Sequence, residues 1–223
     1  TGYAAVHNTI GFMPETHMLK PYNQRVESTY KLLETYIALV ERDAKKIGEN
    51  KKKADAETAA KTTFTLDWKL NKDQFDEIEF KGYAAKYKPS EVSGLERLYY
   101  DRNEPYTKTI KQWNNFEPAL TIEKPIAYII PKAWSQVVQL LKLNNVKVSQ
   151  LKKDVKLALE MYYISDFKTA QKPFEGHYLH SAVKVEPKQQ NIQCYAGDYV
   201  VYVNQKTNRY IVETLEPQAP DSF

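Results

Sequence analysis

The sequence predicts an α+β protein, with one long amphipathic helix near the start and a mainly antiparallel β-rich region after it that carries one inserted helix. Three observations lead there. Val26, Tyr30, Leu33, Ile37, Val40, Ala44 and Ile47 recur in steps of four and three, the spacing of one helix face. From Phe64 the period changes to two, as in Phe64-Thr65-Leu66-Asp67-Trp68-Lys69-Leu70. Helical and strand signals are segregated along the chain instead of alternating, which favours α+β over a parallel βαβ arrangement.

Taken in order, the first element is the short apolar stretch from Ile10 to His17. The residue before Pro14 is pushed toward extended geometry, and the stretch reads as a strand leading into polar groups. The helix follows Pro21, and Leu32, Tyr36 and Leu39 widen its apolar stripe. Between Gly48 and Lys61 the stripe ends among Lys, Glu, Asp and Ala, which suits a frayed helical extension or an exposed linker. The domain reading is therefore 1–47, a helical extension or linker over 48–63, and a β-rich domain over 64–223. Within it, Ile78 to Tyr87 alternates in part, and Ile126 to Ile130 reads as a buried strand. Pro131 suits the first turn of a helix carrying Trp134, Val137, Val138, Leu140 and Leu141, which Asn144 and Asn145 end. Val146 to Val148 and Leu157 to Ile164 read as further strands or short segments, and Leu151 to Val155 fits helix or strand equally. Tyr178 to Val185, Asp198 to Val203 and Tyr210 to Leu215 complete the strand series, with turns at Pro187, Gly197 and Asn204.

Composition excludes several classes of function. Hydrophobic residues make up 42% and charged residues 27%, ordinary globular usage, and no run is long and apolar enough for a membrane span. Net charge is +4, and the locally dense Lys45, Lys46, Lys51, Lys52 and Lys53 are interleaved with Glu49, Asp55 and Glu57. That is a solvated face, so no nucleic-acid partner is expected. The 17 Tyr suit half-buried positions on strands. Cys194 is alone, which excludes an intrachain disulfide. No phosphate loop, Gly-x-Ser-x-Gly elbow or Cys-His nucleophile occurs.

The run Gly11-Phe12-Met13-Pro14-Glu15-Thr16-His17-Met18-Leu19-Lys20-Pro21-Tyr22, followed by Arg25-Val26 and Thr29-Tyr30, resembles the segment around the catalytic glutamate of carboxypeptidase A-like zinc metallocarboxypeptidases. In particular it resembles a bacterial subgroup in which a strand ending in Glu-Thr-His leads directly into a long helix. The far end is similar to the C-terminal region of that subgroup, through Phe174-Glu175-Gly176-His177, Gly197-Asp198-Tyr199-Val200-Val201, Gln205, Asn208-Arg209, Leu215-Glu216-Pro217 and Asp221-Ser222-Phe223. The resemblance implies that residues 1–47 are the C-terminal edge of a peptidase-like domain acting on peptide substrates. It assigns Glu15 as general base, taking a proton from the attacking water and passing it to the leaving amine. A carboxylate at the end of an apolar strand is also partly desolvated, a condition that favours such work. His17, two residues on, would project to the same side of a continuing strand and support Glu15 or substrate, or else bond to backbone at the strand exit.

The metal site is where the sequence departs from the family. The only histidines are His7, His17, His177 and His180, and none begins a His-x-x-Glu motif. Zinc is therefore expected in a full-length parent and not on this chain, which alone is expected to be inactive. His177 and His180, three apart, would point to opposite faces of a strand and could not chelate one ion together. Arg209 is either a carboxylate fork or an ordinary ion-pair partner. A non-catalytic alternative stays open, in which the β-rich region is a peptide- or glycan-binding or scaffold module of a degenerate peptidase. The chain begins at Thr1 without Met, as a processed or partial sequence would, and the family likeness implies a periplasmic or secreted setting. A cut domain would expose apolar surface at Ile10, Phe12, Leu33, Ile37 and Val40 and close it by dimerisation.

Overall fold

A computed structural model describes residues 2–18 and 20–223; Thr1, and the Leu19 of the Glu15 segment, lie outside the described residues. The elements are α1 (Gly2–Val6), α2 (Tyr22–Ala60), β1 (Thr63–Leu70), β2 (Asp76–Pro89), β3 (Glu96–Gln112), β4 (Phe116–Glu123), β5 (Ala127–Ile130) and a 3₁₀ turn (Lys132–Trp134). They continue with α3 (Ser135–Leu143), β6 (Ser149–Gln150), β7 (Val155–Thr169), β8 (His180–Cys194), β9 (Tyr199–Tyr202) and α4 (Asn208–Leu215). The α+β class is as expected, with antiparallel pairing in the ladders β2–β3, β5–β9, β6–β9 and β7–β8. Among the described residues no helix is long and apolar enough to cross a membrane.

The chain divides into two compact units, residues 1–66 with 121–223, and residues 67–120. In the larger, the sheet β5-β9-β6 supplies Ile130, Val200 and Val201 to a core that also takes Val138 and Leu141 of α3, Ile211 and Val212 of α4, and Phe64 and Leu66 of β1. Fully burying one such side chain stabilises by about 1.5–3 kcal/mol. Asp198 is buried at the turn before β9, where it accepts the backbone N–H groups of Tyr195 (2.8 Å) and Lys132 (3.0 Å). Those two donors hold its carboxyl below the ordinary range.

The smaller unit is dominated by the long hairpin β2–β3. Gly82 faces Tyr106 across it, and a Cβ at Gly82 would lie 2.7 Å from the Tyr106 ring. A glycine inside the strand therefore lets that ring lie over the neighbouring backbone.

Three local expectations need correction, and one open alternative closes. Ile10 to His17 is not a strand: it is irregular, and Pro14 removes one of the donors a ladder would need. Of the two readings of 48–63, the helical extension holds: residues 48–60 are the last part of α2, because Ala, Lys and Glu are strong helix formers and Lys51 pairs with Asp55 at i,i+4 (2.5 Å). Val146 to Val148 belongs to the turn after α3, and only Ser149–Gln150 pairs with β9. Tyr210 to Leu215, read as a strand, is helix α4. Short apolar runs do not distinguish the two by period, and here the Thr214 hydroxyl donates to Tyr210 O (2.8 Å) while Arg209 pairs with Glu213 one turn on.

Candidate functional site

The segment bearing Glu15 and His17 leaves α1 at His7 and reaches α2 at Pro21. Its first residues are anchored. Asn8, in the left-handed region that Asn tolerates (φ 50°), donates from Nδ2 to Asp55 Oδ1 and Thr58 Oγ1, both at 3.0 Å. Burial pushes the Asp55 carboxyl up, but hydrogen bonds from Lys51 and Asn8 outweigh this and hold it below its ordinary value. Four residues on, the Phe12 ring stacks on Tyr36 with centroids 4.6 Å apart. The coil thus runs back along α2, from Asp55 toward Tyr36. Between the two lies an open apolar groove of about 850 Å³ bordered by Ile10, Phe12, Tyr36, Leu39, Val40 and Ile47.

Glu15 and His17 both lie on the exposed part of this coil. The partial desolvation expected of a strand-end carboxylate is not provided by this chain, and without a strand no alternation sets the two side chains on one side. The expected apolar exposure is present. Ile10 is 68% exposed, Phe12 64%, Leu33 52%, Ile37 69% and Val40 56%.

Among the described residues no three His, Cys, Asp or Glu side chains gather as a metal site. His7 is 3.1 Å from Asn144 Oδ1 through Nε2 and stacks on Tyr210. His177 closes a tight turn with Phe174, and His180 Nδ1 lies 3.0 Å from Thr169 Oγ1. The histidines present do not fit a zinc centre. Arg209 makes an ordinary i,i+4 ion pair with Glu213.

Two polar clusters escaped the sequence reading. Asn144 Nδ2 donates to Tyr210 Oη (2.8 Å) and Leu140 O (2.9 Å), so its Oδ1 accepts from Tyr3 Oη (2.6 Å) and from His7. Neutral His7 must then carry its proton on Nε2. The cluster pins α1 to the ends of α3 and α4 beside a cavity of about 340 Å³. The second cluster is Glu216, 2% exposed, which accepts from Tyr128 Oη and Tyr162 Oη. Burial pushes the Glu216 carboxyl up against the opposing effect of those two bonds, and burial likewise pushes Tyr162 up to about 12. Their members lie 88 residues apart in the case of Tyr128 and Glu216, beyond any local spacing signal.

About half of the chain is similar to fungal proteins. Carboxypeptidase 2 of Trichophyton rubrum is 31% identical over 107 residues, 48% of this chain and 20% of that protein. Carboxypeptidase 2 of Trichophyton tonsurans is 30% identical over the same length, and probable carboxypeptidase 2 of Arthroderma benhamiae is 29% identical over 105 residues, again 20% of its length. The chain thus spans about one-fifth of the length of these curated relatives. No family model matches, and no solved structure matches. A partial relationship to carboxypeptidase-like hydrolases follows.

Proposed function

We propose that this chain is the C-terminal part of a zinc-dependent, carboxypeptidase-like peptide hydrolase in which Glu15 is the general base, and that the chain alone is inactive. The observation that carries the reading is the similarity to carboxypeptidase 2 over about half the chain. The Glu-Thr-His run leading into a long helix adds the residue assignment. Glu15 would accept a proton from the attacking water and return it to the leaving amine, with His17 in a supporting place. The zinc of such an enzyme would be held by residues outside this chain, and its setting would be periplasmic or secreted.

A second reading is a non-catalytic β-rich module that binds peptide or glycan. It is favoured by the aromatic rings that β2, β3 and their flanks leave exposed, among them Phe80 (44%), Tyr87 (66%), Tyr100 (57%) and Trp113 (43%).

The deciding experiment compares this chain with the protein encoded by its complete reading frame, for zinc content and for release of C-terminal residues from peptides. The longer protein should bind about one zinc, hydrolyse, and lose hydrolysis with Glu15→Gln while keeping its zinc. A longer protein that binds no zinc and cleaves nothing would overturn the enzymatic reading and send the β-rich region to peptide and glycan binding assays.

A further inference from the structure

We infer that the exposed face of the β2–β3 hairpin is a binding site for an uncharged glycan, a chain of β-linked pyranose rings. The inference rests on the reading of the β-rich region as a binding module and is independent of the role given to Glu15.

The register of the hairpin decides which side chains share a face. Tyr83 stands opposite Pro105, Ala85 opposite Tyr100, and Tyr87 opposite Leu98. Directly opposed residues lie on the same side of a ladder, as do positions two apart on one strand. Tyr83, Tyr100 and Tyr87 therefore form one row that alternates between the strands. At about 3.3 Å per residue the row is about 13 Å long. All three are exposed, whereas Gly82, Ala84, Lys86, Tyr99 and Asp101 on the other face are half-buried.

The three rings are also without partners. Elsewhere in the smaller unit Lys88 lies over Tyr99 at 5.3 Å, Lys111 lies over Phe75 at 4.1 Å, and Phe80 meets Tyr106. Tyr83, Tyr87 and Tyr100 carry no such cation or ring, and their hydroxyls make no hydrogen bond among the described residues. No charged side chain stands among the paired residues of this face from Tyr83 to Tyr87, where Pro105, Ala85 and Leu98 fill the other places. An uncharged face of open rings matches an uncharged ligand with apolar surface of its own. A pyranose with equatorial hydroxyls is such a ligand. Its C–H face packs on an aromatic ring, and the hydroxyls around its rim exchange hydrogen bonds with phenolic oxygens.

Two further features border the row. Beyond Tyr83 lies an open depression of about 370 Å³ lined by Lys81, Gly82, Tyr83, Pro105, Tyr106 and Thr107. That is at the small end of the roughly 300–1,000 Å³ of ligand sites. Between Tyr100 and Pro105, β3 extrudes Arg102, Asn103 and Glu104, which have no partners in β2. The extrusion is held in place: Lys86 Nζ donates to Asp101 Oδ2 (2.9 Å) and to Glu104, and Asn103 N donates to Asp101 Oδ1 (3.0 Å). It sets fixed polar groups along the β3 flank of the row. It also disfavours a peptide there, because the extrusion and Pro105, which lacks an N–H, break the regular edge that an added strand needs.

The test titrates this chain by calorimetry with cellotetraose and with tetra-N-acetylchitotetraose, which share the linkage and differ in whether an acetamido group replaces a hydroxyl. At least one should bind saturably. Tyr100→Ala and Tyr87→Ala should each weaken that binding about tenfold, and Tyr100→Phe should cost less. Tyr178→Ala, an exposed tyrosine between β7 and β8, should leave it unchanged. Tyr87 and Tyr100 support nothing else, so circular dichroism and the urea midpoint of their variants should not move. Glycan binding that the Tyr87 and Tyr100 variants leave unchanged overturns this site, while the binding-module reading stands. Binding of neither tetrasaccharide also overturns the inference. An extended octapeptide of alternating Thr and Val, run in parallel, then separates a module that binds peptide from a region that binds neither class, in which case the module reading fails as well.

Discussion

Replacing Asn208 tests how much of the hold on the C-terminal end of α2 comes from one side chain. Asn208 is 0% exposed and makes three hydrogen bonds, two from Nδ2 to Thr58 O and Ala59 O and one at Oδ1 from Gln205 N (2.8 Å). The carbonyls it meets belong to the last turn of α2, which has no intrahelical donors of its own. With each net hydrogen bond worth about 1 kcal/mol, Asn208→Ala should cost about 3 kcal/mol. Asn208→Asp keeps the acceptor but points a charge at two carbonyl oxygens in a closed site, so at neutral pH it should cost at least as much. The new carboxyl would be protonated more readily folded than unfolded. Its deficit should therefore shrink on acidification, when the protonated group can donate to one carbonyl. Urea unfolding followed at the helical circular dichroism band, at neutral and acidic pH, measures both effects. A loss below about 1 kcal/mol for Asn208→Ala would mean that water or a shifted backbone satisfies the three groups, and that Asn208 does not hold the helix end.

Glu216 gives a pH prediction. Burial raises its folded pKa above the ordinary value of 4.5, so its contribution to stability is complete below that value and is lost as pH rises through the folded pKa. Glu216→Gln should flatten this part of the stability-pH profile in chemical unfolding, and an unchanged profile would remove Glu216 as the cause. Cys194 is 3% exposed and burial pushes its thiol up, with the Asp198 charge adding to the effect. A disulfide reagent should therefore label it at a measurable rate only after denaturation; rapid labelling of the folded chain would contradict the packing.

The long helix, β1, part of β2 and the buried strand at Ile126 to Ile130 were legible because each carries a sustained period or a bounded apolar run, whereas β3 and β4 were not read. Tyr210-Ile211-Val212 was misread for a physical reason. Three large residues in succession are compatible with a strand buried on both faces, and only the packing of Ile211 and Val212, both 0% exposed, within the core makes a helix there. The Glu15 segment failed differently. Its apolar residues suggested a strand, yet a strand requires a ladder, and Phe12 instead lies flat on Tyr36. Glu15 and His17 were singled out only through the motif that contains them. Glu216 was visible only as part of a terminal motif, because its role depends on hydroxyls brought from β5 and β7 by topology.

The exposure of Glu15 and that of the apolar face of α2 have the same origin. Phe12 and Ile10 form one wall of the groove along that face, and Glu15 follows three residues after Phe12 on a coil with water on its outer side. Residues 22–47 are more apolar along one face than the chain itself can cover, and a helix in water draws most of its stability from packing that face. The role proposed for Glu15 would in turn call for partial desolvation of its carboxylate. Neither requirement is met by side chains of residues 2–18 and 20–223. A body placed over the groove near Tyr36 and Val40 would meet Phe12 first and then the coil toward Glu15. Coverage of α2 and desolvation of Glu15 are thus physically coupled.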